Sequence, residues 1–512
     1  MKSIQTIGIV GAGAMGRGIA QIAAQAGLDV LLFDLSQDAV AAARDSLQQV
    51  WGKLVAKGKI SAEAAAAALQ HVRPCADLQA MSAADLVIEA VVERLDVKRE
   101  LFQKLETIVS ETCLLVTNTS SLSVTAIAAV CVRPGRVAGY HFFNPVPLMK
   151  VVEIIDGLRT EPAVGDALMA LARTMGHTPV RAKDMPGFIV NHAGRGMNIE
   201  GLRVAQEAVA PFHRVDEIMR DQAGFRMGPF ELLDLTALDV SHPVMESIYR
   251  QFYDEPRFRP SPITAVRLAG KLVGRKVGEG FYTYPEGKKQ VPADTPVPAA
   301  KAGLKVWLAP YHSLGHKRAA ALFKDLGASV VASDHPPADA LIVVTPYGED
   351  TSTVVAAHQL DGARTVALDT FFGLEQGKRR VLMCSPVTEA QWRDAAHALL
   401  ASDGTPVSVI DDSAGFVGQR IVAAIINVAA DIAQQAIATP QDIDLAVSLG
   451  LGYPRGGPLS MGDALGAAQV LEILRNMYRV TGDDRYRSSL WLQRRVQLGL
   501  SLRAEAVCSV MN

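Results

Sequence analysis

The first 184 residues alternate short apolar runs with amphipathic helical stretches. The runs TIGIV, DVLLFD, ADLVIEAV, CLLVTNTSS, RVAGYHFF and VVEII have the length and apolar content of buried strands, and helical patterns such as DVKRELFQKLETIV separate several of them. Strands that alternate with helices form βαβ units, whose strands lie parallel in one sheet. We therefore predict an α/β domain over residues 1–184 with a mostly parallel sheet.

The pattern becomes helical after residue 184. An all-α domain is expected over residues 185–287. The stretch PEGKKQVPADTPVPAAKAG (285–303) contains four prolines and few apolar residues, which is typical of a linker. We place this linker at residues 288–303.

After the linker the order of patterns repeats. VWLAPYHSLGHKRAAALFKDLGASVVASD aligns with IGIVGAGAMGRGIAQIAAQAGLDVLLFD near the N-terminus. Further on, Gly415 lies 228 residues after Gly187, and the same offset relates Asp444 to Asp216. Self-similarity at a fixed offset indicates an internal repeat. We expect the unit of sheet domain plus helical domain to be duplicated, with a degenerate second sheet domain at 304–408 and a second helical domain at 409–512.

A glycine-rich turn joins the first strand to the first helix. Gly11, Gly13 and Gly16 give the pattern GxGxxG, which allows a tight turn, close approach of a pyrophosphate, and close packing of helix on strand. Asp34 ends the next strand, where an acid binds a ribose 2′-hydroxyl and repels a 2′-phosphate. The first domain is therefore predicted to be of Rossmann type and to bind NAD rather than NADP.

Four polar residues are candidates for chemistry. His141 lies near the carboxyl end of the strand RVAGYHFF, which is where open α/β sheets bind ligands, and Glu153 interrupts the apolar strand VVEII. A glutamate is seldom buried without a partner, and His141 is the obvious one, although the pair could equally be structural. Ser120 in TNTSSL and Asn191 in PGFIVN are each, taken singly, turn or cap residues.

Composition and charge limit the classes of partner. The net charge is −2, from 51 basic and 53 acidic residues without long runs of one sign, so binding to nucleic acid or to a membrane surface through bulk charge is not expected. No stretch of 18 uncharged apolar residues occurs, so no membrane span is expected. The five cysteines (Cys75, Cys113, Cys131, Cys384, Cys508) form no CxxC pair, so no metal site is expected and a cytoplasmic location fits best. Gly-Ala-Gly and Arg17 interrupt the N-terminal apolar run, against a signal peptide.

Together these motifs resemble the 3-hydroxyacyl-CoA dehydrogenase family. The resemblance rests on IGIVGAGAMGRGIAQ, VIEAVVERLDVKRELF, TNTSSL, GYHFFNPVPLMKVVEII, PGFIVN and GRKVGEGFYTY, and it covers residues 4–284. The long form, with a second helical domain, is similar to bacterial 3-hydroxybutyryl-CoA and 3-hydroxyadipyl-CoA dehydrogenases of fatty acid and phenylacetate metabolism. The resemblance implies NAD-dependent oxidation of a (3S)-3-hydroxyacyl-CoA, with a short or dicarboxylic acyl chain.

The resemblance also implies a role for each candidate residue. His141 is the expected base, Glu153 its partner, and Ser120 and Asn191 hold the substrate. The positions expected to contact NAD are Gly11, Gly13, Ala14, Met15, Gly16, Asp34, Glu93, Lys98, Asn144 and Lys276. The positions expected to contact the CoA moiety are Ser46, Lys53 and Ser120. Two alternatives stay open: a non-catalytic dinucleotide-binding or structural protein, and a dehydrogenase of free 3-hydroxy acids.

The second copy lacks the chemical positions of the first. Pro310 and His312 replace the first two glycines of the turn, and Thr370 replaces His141. Glu153 and Asn191 align with Val381 and Gln419, and TNTSSL is expected to have no counterpart. We therefore predict that the second half is a structural module. Its helical domain is expected to pack on the first helical domain as an internal pseudo-dimer. A homodimer of whole chains stays open.

Overall fold

The computed structural model describes residues 3–505 and divides into two compact units. Unit 1 consists of the described residues up to His192 together with Gln435–Gly452. Unit 2 consists of Ala193–Gln434 and the described residues from Tyr453 onward. Helices and strands are numbered in chain order below.

Unit 1 is built on an eight-stranded sheet of strand order β3-β2-β1-β4-β5-β6-β7-β8. All neighbouring strands are parallel except β6 and β7, which confirms the predicted, mostly parallel α/β sheet. Its strands are β1 (Thr6–Val10), β2 (Asp29–Phe33), β3 (Val72–Pro74), β4 (Leu86–Glu89), β5 (Leu114–Thr117), β6 (Val137–Phe142), β7 (Val151–Asp156) and β8 (Thr178–Lys183). Its helices are α1 (Ala14–Gln25), α2 (Gln37–Ala56), α3 (Ala62–His71), α4 (Leu95–Ile108), α5 (Val124–Ala128), α6 (Pro162–Thr174), α7 (Val190–Ala193), within which the division of the chain falls, and α17 (Pro440–Leu451).

Apolar side chains cover both faces of this sheet. One cluster contains Ile7, Ile9 and Trp51, and the other contains Phe33, Phe102 and Leu115. Buried strands with helices on both faces are the doubly wound arrangement that the near-continuous apolar runs predict. Residues 37–71 are rich in alanine and form two helices, α2 and α3, separated at Gly58, which adopts a positive φ of 64°.

Helix α17 comes from the second half of the sequence but packs in unit 1. It contacts β7 and β8, and the backbone N–H of Lys183 donates to the carbonyl of Ile437 at 2.8 Å. The helix begins where the Thr439 side chain accepts from the Asp442 N–H, with Pro440 at the first helical position. The second half thus covers part of the first sheet, which the sequence does not predict.

Unit 2 contains the remaining helices and a second, six-stranded sheet of strand order β10-β9-β11-β12-β13-β14. Its strands are β9 (Lys305–Leu308), β10 (Ser329–Val330), β11 (Ala340–Val344), β12 (Thr365–Leu368), β13 (Arg380–Cys384) and β14 (Val407–Asp411). Its helices are α8 (Arg195–Gln206), α9 (Phe212–Glu217), continued by a π-helical turn (Ile218–Gln222), α10 (Pro229–Thr236), α11 (Leu238–Gln251), α12 (Pro262–Ala269), α13 (Ser313–Asp325), α14 (Thr351–His358), α15 (Ala390–Leu400), α16 (Val417–Gln434), α18 (Pro458–Leu465), α19 (Ala467–Thr481) and α20 (Leu490–Leu498).

The second sheet repeats the order of the first with fewer strands. β12 and β13 are antiparallel, as β6 and β7 are, and β11 lies directly between β9 and β12. The segment TPYGED (345–350) follows β11 and leads into α14, as TNTSSL follows β5 and leads into α5. The expectation that TNTSSL has no counterpart is therefore wrong: the position is kept, its serines are replaced, and the strands missing from the second sheet are those that correspond to β3 and β4.

Within unit 2, α8 of the first helical domain lies against α16 of the second. A Cβ added to Gly196 would lie 2.7 Å from the Cα of Ile425, so the two helix backbones touch here. Nearby, the buried Arg420 donates to Glu200 at 2.8 Å and to Glu207 at 2.6 Å. Tyr486 also donates to Glu200, at 2.9 Å. Helices α8 and α16 are thus in contact through a close crossing of their backbones and through the buried, fully paired Arg420.

None of the helices in the described part of the chain is long and apolar enough to cross a membrane. Residues 288–303 contain no helix or strand, and the Asp294 carboxylate accepts a hydrogen bond from Arg214 at 2.6 Å.

Candidate active site

The turn between β1 and α1 has the backbone that its glycines predict. Gly11 adopts a φ of 111°, and a Cβ there would lie 2.7 Å from the carbonyl carbon of Ala90. A Cβ on Gly16 would overlap the backbone of Gly11, whereas one on Gly13 would meet open space. Gly13 is also the N-cap of α1, and no side chain caps that helix. The first-turn N–H groups are therefore available to a ligand's phosphates, beside a surface without obstruction.

Asp34 lies just beyond the end of β2, next to this turn. Its two carboxylate oxygens accept from the backbone N–H of Ala12 at 2.8 Å and of Ser36 at 3.0 Å. These bonds fix the carboxylate at the edge of the glycine turn. This is the place where an acid meets the ribose of a bound dinucleotide.

A buried cluster of charges lies beyond β4. Lys98 donates to Glu89 at 2.6 Å and lies 3.2 Å from Glu93, with only 1% of its side chain exposed. The Thr117 hydroxyl donates to the other carboxylate oxygen of Glu89 at 2.6 Å. Glu89 was not among the predicted site residues, although a charged residue that ends the buried strand LVIE is the same kind of signal that singled out Glu153.

Glu93 ties this cluster to the loop after β5. It accepts from the Thr119 hydroxyl at 2.6 Å and from the backbone N–H of Ser120 at 2.9 Å. Burial would raise the pKa of Glu93, but the charge of Lys98 and these hydrogen bonds hold the pKa below its ordinary value. Glu93 is therefore a fixed carboxylate that positions the loop carrying Ser120.

His141 and Glu153 face each other across the antiparallel pair β6 and β7. They occupy directly opposite positions in the register, and His141 Nδ1 lies 2.6 Å from Glu153 Oε2. Both residues are buried, and His141 lies one residue before the end of β6. The structure therefore brings together the two residues that the sequence paired.

The second oxygen of Glu153 is held by backbone groups. Glu153 Oε1 accepts from the N–H of Ile189 at 2.9 Å and of Val190 at 2.8 Å. This approach depends on the turn before α7, where Gly187 and Phe188 adopt φ values of 77° and 49°. Phe188 also packs edge-on against the His141 ring, at a centroid distance of 5.8 Å. The carboxylate is thus fully engaged, and its orientation is set by the start of the helical region.

Ser120 and Asn191 lie beside one another. Asn191 Nδ2 donates to the Ser120 carbonyl at 3.4 Å, and the Ser120 hydroxyl lies 3.4 Å from Glu93 Oε1. Both residues are only partly buried. The loop after β5 and the start of α7, which carry two polar residues singled out separately in the sequence, therefore meet in space.

The remaining predicted residues are more dispersed. Ala14 and Met15 open α1, and Asn144 is exposed two residues after β6, before a cis peptide bond to Pro145. Ser46 and Lys53 lie on α2, and Lys53 is exposed. Lys276 belongs to unit 2, where its ammonium group pairs with Asp239.

The cysteines and the other metal-ligating residue types are the candidates for a second site within residues 3–505. Among residues 3–505 no group of three or more His, Cys, Asp or Glu side chains could hold a metal ion. Cys75, Cys113, Cys131 and Cys384 are free thiols, and Cys508 lies outside the described residues. The arrangement that remains is a dinucleotide turn in the same sheet as a buried histidine–glutamate pair.

Comparison with known proteins agrees with this arrangement. The profile of the 3-hydroxyacyl-CoA dehydrogenase NAD binding domain matches residues 6–185, and that of the 3-hydroxyacyl-CoA dehydrogenase C-terminal domain matches residues 187–284 and again 415–506. The chain belongs to the 3-hydroxyacyl-CoA dehydrogenase family. It is 36% identical to the 3-hydroxyadipyl-CoA dehydrogenase of Escherichia coli K12, over 97% of this chain and 98% of that protein.

Two further members of the 3-hydroxyacyl-CoA dehydrogenase family show how the likeness is distributed. The crystal structure of a 3-hydroxybutyryl-CoA dehydrogenase from E. coli K12 superposes with a TM-score of 0.86 at 36% identity, covering 97% of this chain and 99% of that one. A probable 3-hydroxybutyryl-CoA dehydrogenase of Deinococcus radiodurans is 39% identical over 54% of this chain and 99% of its own length. The protein is thus an NAD-dependent 3-hydroxyacyl-CoA dehydrogenase, and the expected reaction class and cofactor are confirmed.

Proposed function

We propose that the protein oxidises a (3S)-3-hydroxyacyl-CoA with a short or dicarboxylic acyl chain, and that His141 accepts the proton of the 3-hydroxyl group. The observation that carries this proposal is the buried His141–Glu153 pair near the carboxyl end of β6. The names of the two E. coli relatives, one a 3-hydroxyadipyl-CoA and the other a 3-hydroxybutyryl-CoA dehydrogenase, support the choice of acyl chain.

The hydrogen bonds of Glu153 support Nε2 as the ring nitrogen of His141 that accepts the substrate proton. Glu153 Oε1 already accepts two backbone N–H groups, so the carboxylate is held as an acceptor. Because a carboxylate only accepts, Nδ1 of His141 carries a hydrogen and donates it to Oε2. The other nitrogen, Nε2, is then free of hydrogen and accepts the substrate proton, and Glu153 stabilises the imidazolium that forms.

The residues of the first domain fit NAD. Open space beside Gly13, the uncapped start of α1 and the fixed carboxylate of Asp34 would hold the pyrophosphate and the ribose. NAD supplies the hydride acceptor when it is bound. We assign the other proposed NAD contacts to the α1 turn, to Glu93 and Lys98, and to Asn144 and Lys276.

We assign substrate binding to Ser120 and Asn191, which lie together in unit 1. Hydrogen bonds from their side chains would hold the 3-oxygen as its charge changes. Ser46 and Lys53 stand seven residues apart on α2, and so on one face of it. We propose that they contact the CoA phosphates.

A spectrophotometric assay of NADH formation tests the proposal. His141→Gln should lower turnover on the order of 10²- to 10⁴-fold, the usual contribution of a general base, while NAD affinity stays near wild type. A His141→Gln enzyme with near-native turnover would overturn the assignment. Leu158→Ala, a change at an exposed position in unit 1, is the matched control and should keep wild-type rates.

The substrate panel separates the alternatives. 3-Hydroxybutyryl-CoA and 3-hydroxyadipyl-CoA should both be compared with free 3-hydroxybutyrate. Turnover with the free acid alone would indicate a free-acid dehydrogenase, and NAD binding without turnover of any substrate would indicate a non-catalytic protein. A marked preference for one CoA ester identifies the acyl chain.

We further propose that the second half arose by duplication and is a structural module without catalysis. The second match of the C-terminal domain profile and the parallel order of the two sheets support this. The contact of α8 with α16 supports an internal pseudo-dimer of helical domains. Cytoplasmic location, the absence of a nucleic-acid partner and a homodimer of whole chains stay proposals; the free thiols favour the first.

A further inference from the structure

Helix α17 contacts the part of unit 1 that carries the histidine–glutamate pair. It packs on β7, the strand of Glu153, and on β8. An ideal Cβ on Gly450, near the C-terminal end of α17, would lie 3.1 Å from both methyl carbons of Val190 and 3.7 Å from Cγ1 of Val151. Gly450 therefore sits where the helix approaches α7 too closely for an unstrained side chain.

Val190 connects this contact to the active site. Its backbone N–H donates to Glu153 Oε1 at 2.8 Å, and its side chain is 98% buried. A buried residue with no room to move holds its own N–H in place. A larger side chain on α17 would displace Val190, and with it the N–H that holds the Glu153 carboxylate against His141.

A corresponding contact in unit 2 has the sizes of the two residues exchanged. Adding 228 to residue 190 gives Gly418, and subtracting 228 from residue 450 gives Gln222. In unit 2 these two also meet: a Cβ on Gly418 would lie 3.0 Å from Oε1 of Gln222. The helix carries the large residue there, and its amide reaches the buried Asp369 at 3.1 Å. At the histidine–glutamate pair the sizes are reversed: the helix carries the small Gly450, and the larger Val190 lies beside Glu153.

We propose that Gly450, contributed by the second half of the chain, is a positioning residue for the His141–Glu153 pair. By leaving room for Val190, it lets the Val190 N–H hold Glu153, and so sets the imidazole for proton transfer. The second half is then a working part of the active site as well as a packing partner. This inference rests on the proposed roles of His141 and Glu153.

The test is a double-mutant cycle in the full-length chain. Gly450→Val should push on Val190 and lower kcat by about 10- to 100-fold, as expected for a small misplacement of catalytic groups. KM for 3-hydroxybutyryl-CoA and Kd for NAD should change less than kcat. The pH profile of kcat should also shift, because the hydrogen bonding of Glu153 changes. Adding Val190→Ala removes the two methyl carbons that a side chain at residue 450 would meet, and it should restore a large part of kcat relative to Gly450→Val alone.

Two comparisons keep the outcome interpretable. Leu445→Ala, at a partly exposed position on the same helix, should leave kcat and the pH profile unchanged. If Gly450→Val does not fold, Gly450→Ala gives the same test with a milder change. A Gly450 variant that keeps the wild-type kcat and pH profile, or one that Val190→Ala does not rescue, would overturn the inference. Loss of the proposed function would appear separately, as full turnover in His141→Gln.

Discussion

The crossing of α8 and α16 can be tested by a single added methyl group. At Gly196 an alanine Cβ would lie 2.7 Å from the Ile425 Cα and 2.9 Å from its backbone nitrogen. Ordinary van der Waals contact begins at 3.4 Å, so the shortfall is 3.4 − 2.7 = 0.7 Å. Both neighbours are backbone atoms inside a long helix, so no side-chain rotation can relieve the clash, and α8 and α16 must move apart.

Two effects of opposite sign then compete. Replacing glycine by alanine inside a helix stabilises it by about 1 kcal/mol. Forcing an extra carbon into a well-packed contact costs about 1–3 kcal/mol, and the rigid neighbours favour the upper part of that range. We therefore expect Gly196→Ala to destabilise the protein by about 1–2 kcal/mol in total.

The matched control is the same substitution where there is space. Gly52 lies inside α2, is exposed, and a Cβ there would meet nothing within 4 Å. Gly52→Ala should therefore stabilise the protein by up to about 1 kcal/mol. Urea midpoints of both variants give the signs, and hydrogen exchange should locate the loss of protection of Gly196→Ala in α8 and α16. If Gly196→Ala stabilises the protein as Gly52→Ala does, the two helical domains do not pack through this contact.

Three further predictions concern the cofactor and the second sheet. Asp34→Ala should weaken NAD binding and narrow the preference for NAD over NADP, and an unchanged ratio of the two Kd values would place Asp34 away from the ribose. Calorimetric titration should find one NAD site per chain. Two equivalent sites would show that the turn between β9 and α13 still binds a dinucleotide although Pro310 and His312 replace its first two glycines. Burial raises the pKa of Asp369 to about 6, against hydrogen bonds from Gln419, Phe371 and Gln222. The raised pKa stabilises the folded state below about pH 4, and this contribution is lost as the pH rises through about 6. The free energy of unfolding of Asp369→Asn, measured in urea, should therefore rise by roughly 3 kcal/mol relative to wild type between pH 4 and pH 7. A difference that does not change with pH would refute this prediction.

The sequence predicts best those strands that are almost entirely apolar and the site residues whose charge interrupts such a strand. Glu153 was found because a charge inside an apolar strand needs a partner, and the strand register placed that partner opposite. Glu89 carries the same signal, but its partner Lys98 lies on the amphipathic helix α4, where a lysine gives no sign in the sequence that it is buried. The strands β3 and β8 were missed because proline and charged residues dilute their apolar content. The docking of α17 on the first sheet could not be predicted, because an amphipathic helix shows that it has a buried face but not which surface that face meets.

The second turn shows how a nucleotide-binding fold survives the loss of its glycines. In the first half, Gly13 leaves the start of α1 without a side-chain cap. In the second half, His312 takes that position, and its Nδ1 accepts from the Gly315 N–H at 3.0 Å. A helix start that an internal side chain already satisfies has one donor fewer to offer a phosphate, and it is stable without one. Replacing Gly13 with a capping residue would thus make the first turn independent of its ligand, and we propose that the turn capped by His312 binds no dinucleotide.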